Sequence, residues 1–233
     1  MCGRVALFSP PSYFARFLEA ALAADLDPEG RASWNVGPQR SLFAVAEHEE
    51  ARVLDRYRWG LVPSWAKDPS IGNKLFNARG ETVAEKPSFR TAFAKRPCVI
   101  PVDGFYEWDH RPGNDRQPYF FTRRDEQPLL FAGLFENWWN REDEAAPPLA
   151  TCTIITTTPN QDVDGIHDRM PVILSPEDVE VWLDVAEQPE ARVALLRPAP
   201  VGTLGYYGVS KAVGSVKNDG PELTAPVEPQ SLF

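Results

Sequence analysis

Proline occupies 23 of the 233 positions, spread from Pro10 to Pro229. Inside a helix a proline removes one backbone hydrogen bond and clashes with the preceding turn, at about 3 kcal/mol. A chain punctuated this often cannot be a bundle of long helices. The stretches between prolines are rich in β-branched and aromatic residues, which suit strands. Strands are therefore expected at 42–46, 53–59, 98–102, 119–122, 129–135, 151–157 and 203–209. Helical spacing is rarer. From Pro10 on, Phe14, Phe17, Leu18, Ala21 and Leu22 recur at helical intervals, and Pro28 with Gly30 closes the region. A second helix is expected after Ser175, which can cap it. Pro176 would take its first position, Glu177 and Asp178 its positive end, and Val179, Trp182 and Leu183 its buried face. A short helix is expected near 191–196. The economical reading is a single α+β domain, residues 1–220, with a mixed, barrel-like sheet flanked by helices. Residues 221–233 read as a proline-bearing, partly disordered tail.

The net charge is −9. That weighs against indiscriminate, charge-driven nucleic-acid binding, for which a basic domain is expected, and leaves room for a local basic groove on an acidic body. Any contact with DNA must rest on particular cations. Seven tryptophans exceed what a core of this size needs, so some are candidates for a binding surface. Three cysteines without framework spacing point to a reducing compartment, and the absence of a CxxC pair argues against zinc. No cofactor or metal is expected. Nothing resembles a secretory leader or a span of about 20 apolar residues, so a soluble, cytoplasmic protein is expected.

Several short motifs carry chemistry. In Met1-Cys2-Gly3-Arg4, loss of Met1 would give Cys2 a free α-amine and a thiol on adjacent carbons. An α-amine has a pKa of about 7.7–8.0 against about 10.4 for lysine, so far more of it is free to attack an aldehyde at neutral pH. The resulting imine can close with the thiol into a five-membered thiazolidine. A retained Met1 would block that amine. In Asn77-Ala78-Arg79-Gly80-Glu81-Thr82, Asn77 can donate and accept, and Arg79 offers a fork for phosphate. A surface loop with an ordinary ion pair would carry the same residues. Glu107, among aromatics in Gly104-Phe105-Tyr106-Glu107-Trp108, is a general acid or base if it points inward and a solvated strand residue if it points out. His167 can shuttle protons and Arg169 can hold phosphate. His48 and His110 sit in polar stretches and read as surface residues. Lys211 and Lys217 flank a small-residue loop and can approach phosphate. Trp59, Trp65 and Trp108 are stacking candidates, with core packing as the alternative for each.

Taken together the motifs resemble the SRAP family, the SOS response-associated peptidase domain. The matching pieces are MCGR at the start, WNVGP at 34–38, WGLVPSW at 59–65, FNARGET at 76–82, DGFYEW at 103–108, GIHDRMP at 165–171 and SKAVGSVKNDG at 210–220. They run in family order and cover most of the chain. The resemblance implies a single α+β domain that binds single-stranded DNA and crosslinks to the ring-opened aldehyde of an abasic site. It implies Cys2, Asn77, Glu107 and His167 as the reactive set, and Arg4, Arg79 and Arg169 as DNA contacts. Trp65, Trp108, Lys211 and Lys217 join them as candidate DNA contacts. Lyase activity and self-cleavage before Cys2 come with the same resemblance. Gly37 stands where alanine is usual, and the PSW segment has one tryptophan where some relatives have two. Two other readings use the same residues. One is a cysteine peptidase acting on other proteins, with Cys2, His167 and Glu107 as nucleophile, base and orienter. The other is a noncatalytic single-strand DNA or protein-binding module.

Overall fold

The computed structural model describes residues 2–48, 51–109, 116–143, 145–186 and 189–227. His110, the side chain of His48, Met1 and the end of the tail lie outside them. In chain order the strands are β1 (Val5–Leu7), β2 (Ala21–Leu22), β3 (Ser33–Val36), β4 (Ser41–His48), β5 (Ala51–Trp59), β6 (Asn77–Arg79), β7 (Pro97–Val102), β8 (Gly104–Trp108), β9 (Pro118–Arg123), β10 (Leu129–Trp138), β11 (Leu149–Thr157), β12 (Met170–Pro171) and β13 (Leu204–Gly208). The helices are α1 (Pro11–Phe17), α2 (Arg90–Lys95), α3 (Pro176–Leu183) and α4 (Pro189–Ala194). None of these helices is long and apolar enough to cross a membrane.

Five strands form a closed ring. β5 pairs with β4, β4 with β7, β7 with β10 and β10 with β11, all antiparallel. The seam closes through a parallel pairing of β11 with β5, Thr151 opposite Arg58 and Cys152 opposite Trp59. Closure leaves no open edge along the seam. β5 ends there, and β6 takes over the same edge of β11, with Ile154 opposite Asn77. The barrel interior is tight. A Cβ on Gly133 of β10 would stand 2.7 Å from Ile100 Cδ1 and 3.1 Å from Cys98 Sγ, so only glycine fits. A second, antiparallel sheet runs in the order β13-β9-β8-β1-β3. It joins the barrel where β7 passes through Asp103 into β8. The Asp103 carboxylate accepts from the backbone N–H groups of Phe8 (2.6 Å) and Ser9 (2.8 Å), fixing the turn after β1. Phe105 carries the core across the junction, stacked on Phe121 at 4.8 Å and edge-on to Phe131 at 5.8 Å.

The expected strands are present, most of them one to three residues longer. α3 begins at the expected cap: Ser175 Oγ accepts from the Asp178 N–H, and Asp178 returns the bond. Such a box contributes about 1 kcal/mol. Val179, Trp182 and Leu183 are buried. The first helix is shorter than its periodicity predicts. It ends at Phe17, and Glu19 turns left-handed at φ 52°. Ala21 and Leu22 then extend the sheet beside Val53 and Leu54, because pairing with an open edge satisfies backbone groups that another helical turn would leave facing it. Beyond residue 220, Pro221–Thr224 form a 3-10 turn that buries Leu223, and Val227 N–H donates to Gly208 O at 2.9 Å.

Candidate active site at the start of β1

The site forms where chain segments far apart in sequence meet at the beginning of β1. β1 lies antiparallel to β8, with Val5 opposite Phe105, and Tyr106 N–H donates to Arg4 O at 2.9 Å. This register runs Cys2 and Gly3 alongside Glu107 and Trp108. β6, held on β11, places Asn77 so that its amide donates to Cys2 O at 2.6 Å. Cys2 is fully buried. Burial is the main cause that pushes its thiol well above the ordinary range, and the charge of Glu107 adds to it.

Strand alternation puts Glu107 on the same face as Phe105, into the core, with 3% of its surface exposed. The inward reading of Glu107 is the observed one. Burial pushes its carboxyl up from 4.5 to about 7, the range in which a carboxyl can both give and take a proton near neutrality. His167 Nε2 lies 3.7 Å from Glu107 Oε2. The imidazole is held from its other side, since its Nδ1 accepts the Arg169 backbone N–H at 3.0 Å. That bond assigns the neutral ring its proton at Nε2, facing Glu107. Asp168 Oδ1 lies 3.0 Å from the same Nδ1. The loop carrying His167 is anchored by buried Asn160, whose amide donates to Ala199 O at 3.0 Å, and by His167 N–H donating to Val163 O at 2.9 Å. Among the described residues no group of His, Cys, Asp and Glu could hold a metal ion.

The other candidates divide. Arg4 is part-buried and committed: it donates to Asn35 Oδ1 and Val213 O, both at 2.6 Å, and lies over the Trp108 ring at 5.8 Å. Burial lowers its pKa. Arg169 forms a bidentate pair with Glu81 and donates to Thr156 O at 2.7 Å. Arg79 is exposed on β6, beside Asn77. Lys211 and Lys217 are exposed in the loop that Arg4 braces. Trp65 is half exposed and its indole donates to Pro87 O at 3.3 Å, but nothing ties it to Cys2. Trp59 is wholly buried and leaves the list of stacking surfaces: its indole donates to Phe76 O at 2.8 Å, in the seam of the barrel.

Three residues of consequence were not singled out in the sequence. Asn35 is 5% exposed; besides receiving Arg4, its amide donates to Val213 O, Ser215 O and Asn218 O. Glu81 and Thr156 hold Arg169. A buried asparagine inside WNVGP and an acid two residues after Arg79 were the available signals.

A family model described as SOS response associated peptidase (SRAP) matches residues 1–216. The chain belongs to the SRAP family. Abasic site processing protein YoqW of Bacillus subtilis (strain 168) is 41% identical over 226 residues, covering 96% of this chain and 98% of that one. Abasic site processing protein HMCES of Gallus gallus is 39% identical, covering 85% of this chain and 67% of that one. A solved protein of Bacteroides thetaiotaomicron superposes with a TM-score of 0.85 at 24% identity, over 97% of this chain and 100% of that one. That structural likeness concerns the fold alone.

Proposed function

We propose that this protein acts in the DNA damage response by capturing abasic sites in single-stranded DNA, through the α-amine and thiol of Cys2 once Met1 has been removed. The observation that carries the proposal is the convergence, at the start of β1, of fully buried Cys2 with Asn77 and with the Glu107–His167 pair. The naming of its relatives as abasic site processing proteins agrees with it. The amine adds to the C1′ aldehyde of the ring-opened sugar to give a carbinolamine. Loss of water, with Glu107 supplying the proton, gives an imine. The Cys2 thiol then adds across the C=N bond, its proton passing to nitrogen, and the thiazolidine is complete. His167 assists ring opening at the sugar oxygen, and Asn77 orients the Cys2 carbonyl. An imine left open acidifies the C2′ hydrogens and permits loss of the 3′ phosphate, the lyase reaction; ring closure suppresses it.

Self-processing of whatever precedes Cys2 belongs to the same pocket on this reading. Peptidase action on other proteins is the less favoured reading, because a peptidase nucleophile has no need of the free α-amine that removal of Met1 would give Cys2. The test is incubation with matched abasic single-stranded, junction and duplex DNA, followed by denaturing gels and mass spectrometry. A stable adduct at Cys2 is expected, formed much faster on the single strand and junction, because extruding the sugar from a duplex costs a few kcal/mol. An adduct elsewhere in the chain, or equal rates on all three DNAs, would sink the proposal.

A further inference from the structure

Beside the pocket, a cavity of about 530 Å³ runs along the open edge of β3, lined by Arg31, Arg40 and Lys217 among others. We infer that this cavity is a phosphodiester-binding subsite that takes the DNA strand on one side of the abasic nucleotide. The inference rests on the capture reading and extends it to two arginines outside the set above.

Its position follows from register. Val5 of β1 lies opposite Val36 of β3, so the chain start that carries Cys2 lies toward Gly37, at one end of the cavity. A Cβ on Gly37 would stand 3.5 Å from Arg4 Nε and 3.4 Å from Val216. The site arginine and the lysine-bearing loop therefore meet at this point. Arg40 is tethered there by its N–H to Gly37 O at 3.2 Å. From Val36 back to Ser33, β3 covers roughly 10 Å at about 3.3 Å per residue, and Arg31 lies two residues beyond its start. The cations thus span a track that begins at the pocket and leads away from it.

The electrostatics favour an anion in spite of the chain's net charge of −9. Arg31, Arg40 and Lys217 are exposed, and none makes a side-chain hydrogen bond or ion pair among the described residues. The carboxylate in the lining, Asp219, already accepts from Trp34 N–H at 2.6 Å and from Ser33 Oγ at 3.0 Å. Asn35 pins the Lys217 loop through its backbone carbonyls, so that lysine is presented from a fixed wall. Three cations on a pinned frame suit a run of phosphates.

The test uses the double variant Arg31→Ala/Arg40→Ala on the full chain. Crosslinking rates are followed against DNA concentration, with abasic strands carrying long flanks on both sides or trimmed on one. With long flanks the half-saturating concentration should rise about tenfold while the maximal rate stays within twofold. The salt dependence should flatten by roughly 1.4, at about 0.7 per phosphate on a single strand. Trimming one particular flank should shrink the penalty to within twofold, and Arg31→Lys/Arg40→Lys should recover most of the affinity. An unchanged half-saturating concentration, an equal penalty with either flank trimmed, or a loss confined to the maximal rate would overturn the subsite. So would millimolar inorganic phosphate that displaces the strand at constant ionic strength, since the pocket would then serve a free anion. Fluorescence anisotropy on an intact single strand, which cannot crosslink, separates the two readings. A weaker, flatter response of the variant there upholds the subsite even if no crosslink ever forms. A wild-type response there overturns the subsite and leaves capture standing.

Discussion

Cys2 and Cys152 are both buried to 0% exposure, and burial raises both thiols. Their surroundings differ. Cys152 sits in the barrel wall at the seam, and burial is the one cause that raises its thiol. Cys2 lies three residues ahead of β1, with its carbonyl held by Asn77 and, close by, a carboxyl that burial has brought to about 7. Equal burial gives one thiol a packing role and the other a place beside proton donors and acceptors. The thiol itself is therefore the less informative part of the site. What distinguishes Cys2 is the polar company that other segments bring to it.

The largest effect should come from exchanging the two cysteines' fates. Cys2→Ala keeps its α-amine, so it should form only a transient imine, trappable by borohydride, with no stable adduct by mass spectrometry. Cys152→Ala should crosslink within twofold of wild type while losing about 1 kcal/mol of stability in urea. A stable crosslink with Cys2→Ala, or its loss with Cys152→Ala, breaks the contrast.

Next is Glu107→Gln, which keeps the shape and removes the proton. Crosslinking should slow by about 10²–10⁴, and the rate's inflection near pH 7 should vanish from the pH profile. A variant that is merely slower with the same inflection would show that another group moves the proton.

Glu107 should also mark the stability curve. Its folded pKa, about 7, exceeds the ordinary 4.5, so between those values the folded state binds more protons than the unfolded one. Stability is then full at and below about pH 4.5 on this account and falls as pH rises through 7. The loss is on the order of 3 kcal/mol for a shift of that size. Glu107→Gln should flatten urea midpoints measured from pH 5 to 8. A wild-type midpoint that climbs over this range would contradict the buried, proton-holding carboxyl.

The smallest effects should separate Arg79 from Arg169. Arg79 is exposed and makes no side-chain hydrogen bond or ion pair among the described residues, so Arg79→Ala should weaken single-strand binding up to tenfold and lower the salt slope by about 0.7, with little change in stability. Arg169 is already engaged by Glu81 and Thr156, and its backbone holds His167. Arg169→Ala should show a weaker salt signature and a loss of roughly 1–2 kcal/mol in stability. Identical salt slopes and stabilities in both variants would erase the distinction.

The long strands were legible because each carries its own pattern over many residues. The strands that build the site were not. β1, β3 and β6 have three or four residues apiece, too few for a period to emerge, and each depends on a partner distant in the chain. Asn77 illustrates this: locally its segment suits an exposed loop, and only pairing with Ile154 turns it into a strand aimed at Cys2. The overlong first helix fails for the converse reason, since Ala21 and Leu22 fit a helical period until an open sheet edge competes for them. Glu107 was legible as a candidate but not in its direction. The family motifs imply a role for it, while its burial is a property of the β1–β8 register. Asn35 and Glu81 escaped notice because they act on other side chains, and such second partners leave no spacing to read.

The parallel seam of β11 with β5 also bears on when the chemistry comes into being. Its paired residues, Arg58 with Thr151 and Trp59 with Cys152, are distant along the chain, so a large loop must close before they meet, which makes this a slow and late contact. The same edge of β11 seats Asn77, and the turn beyond it presents His167. On the capture proposal, a chain still folding on the ribosome therefore holds Cys2 without the neighbours that would activate it. If Cys2 captures aldehydes as proposed, barrel closure would be the arming step, tying that reactivity to completed synthesis.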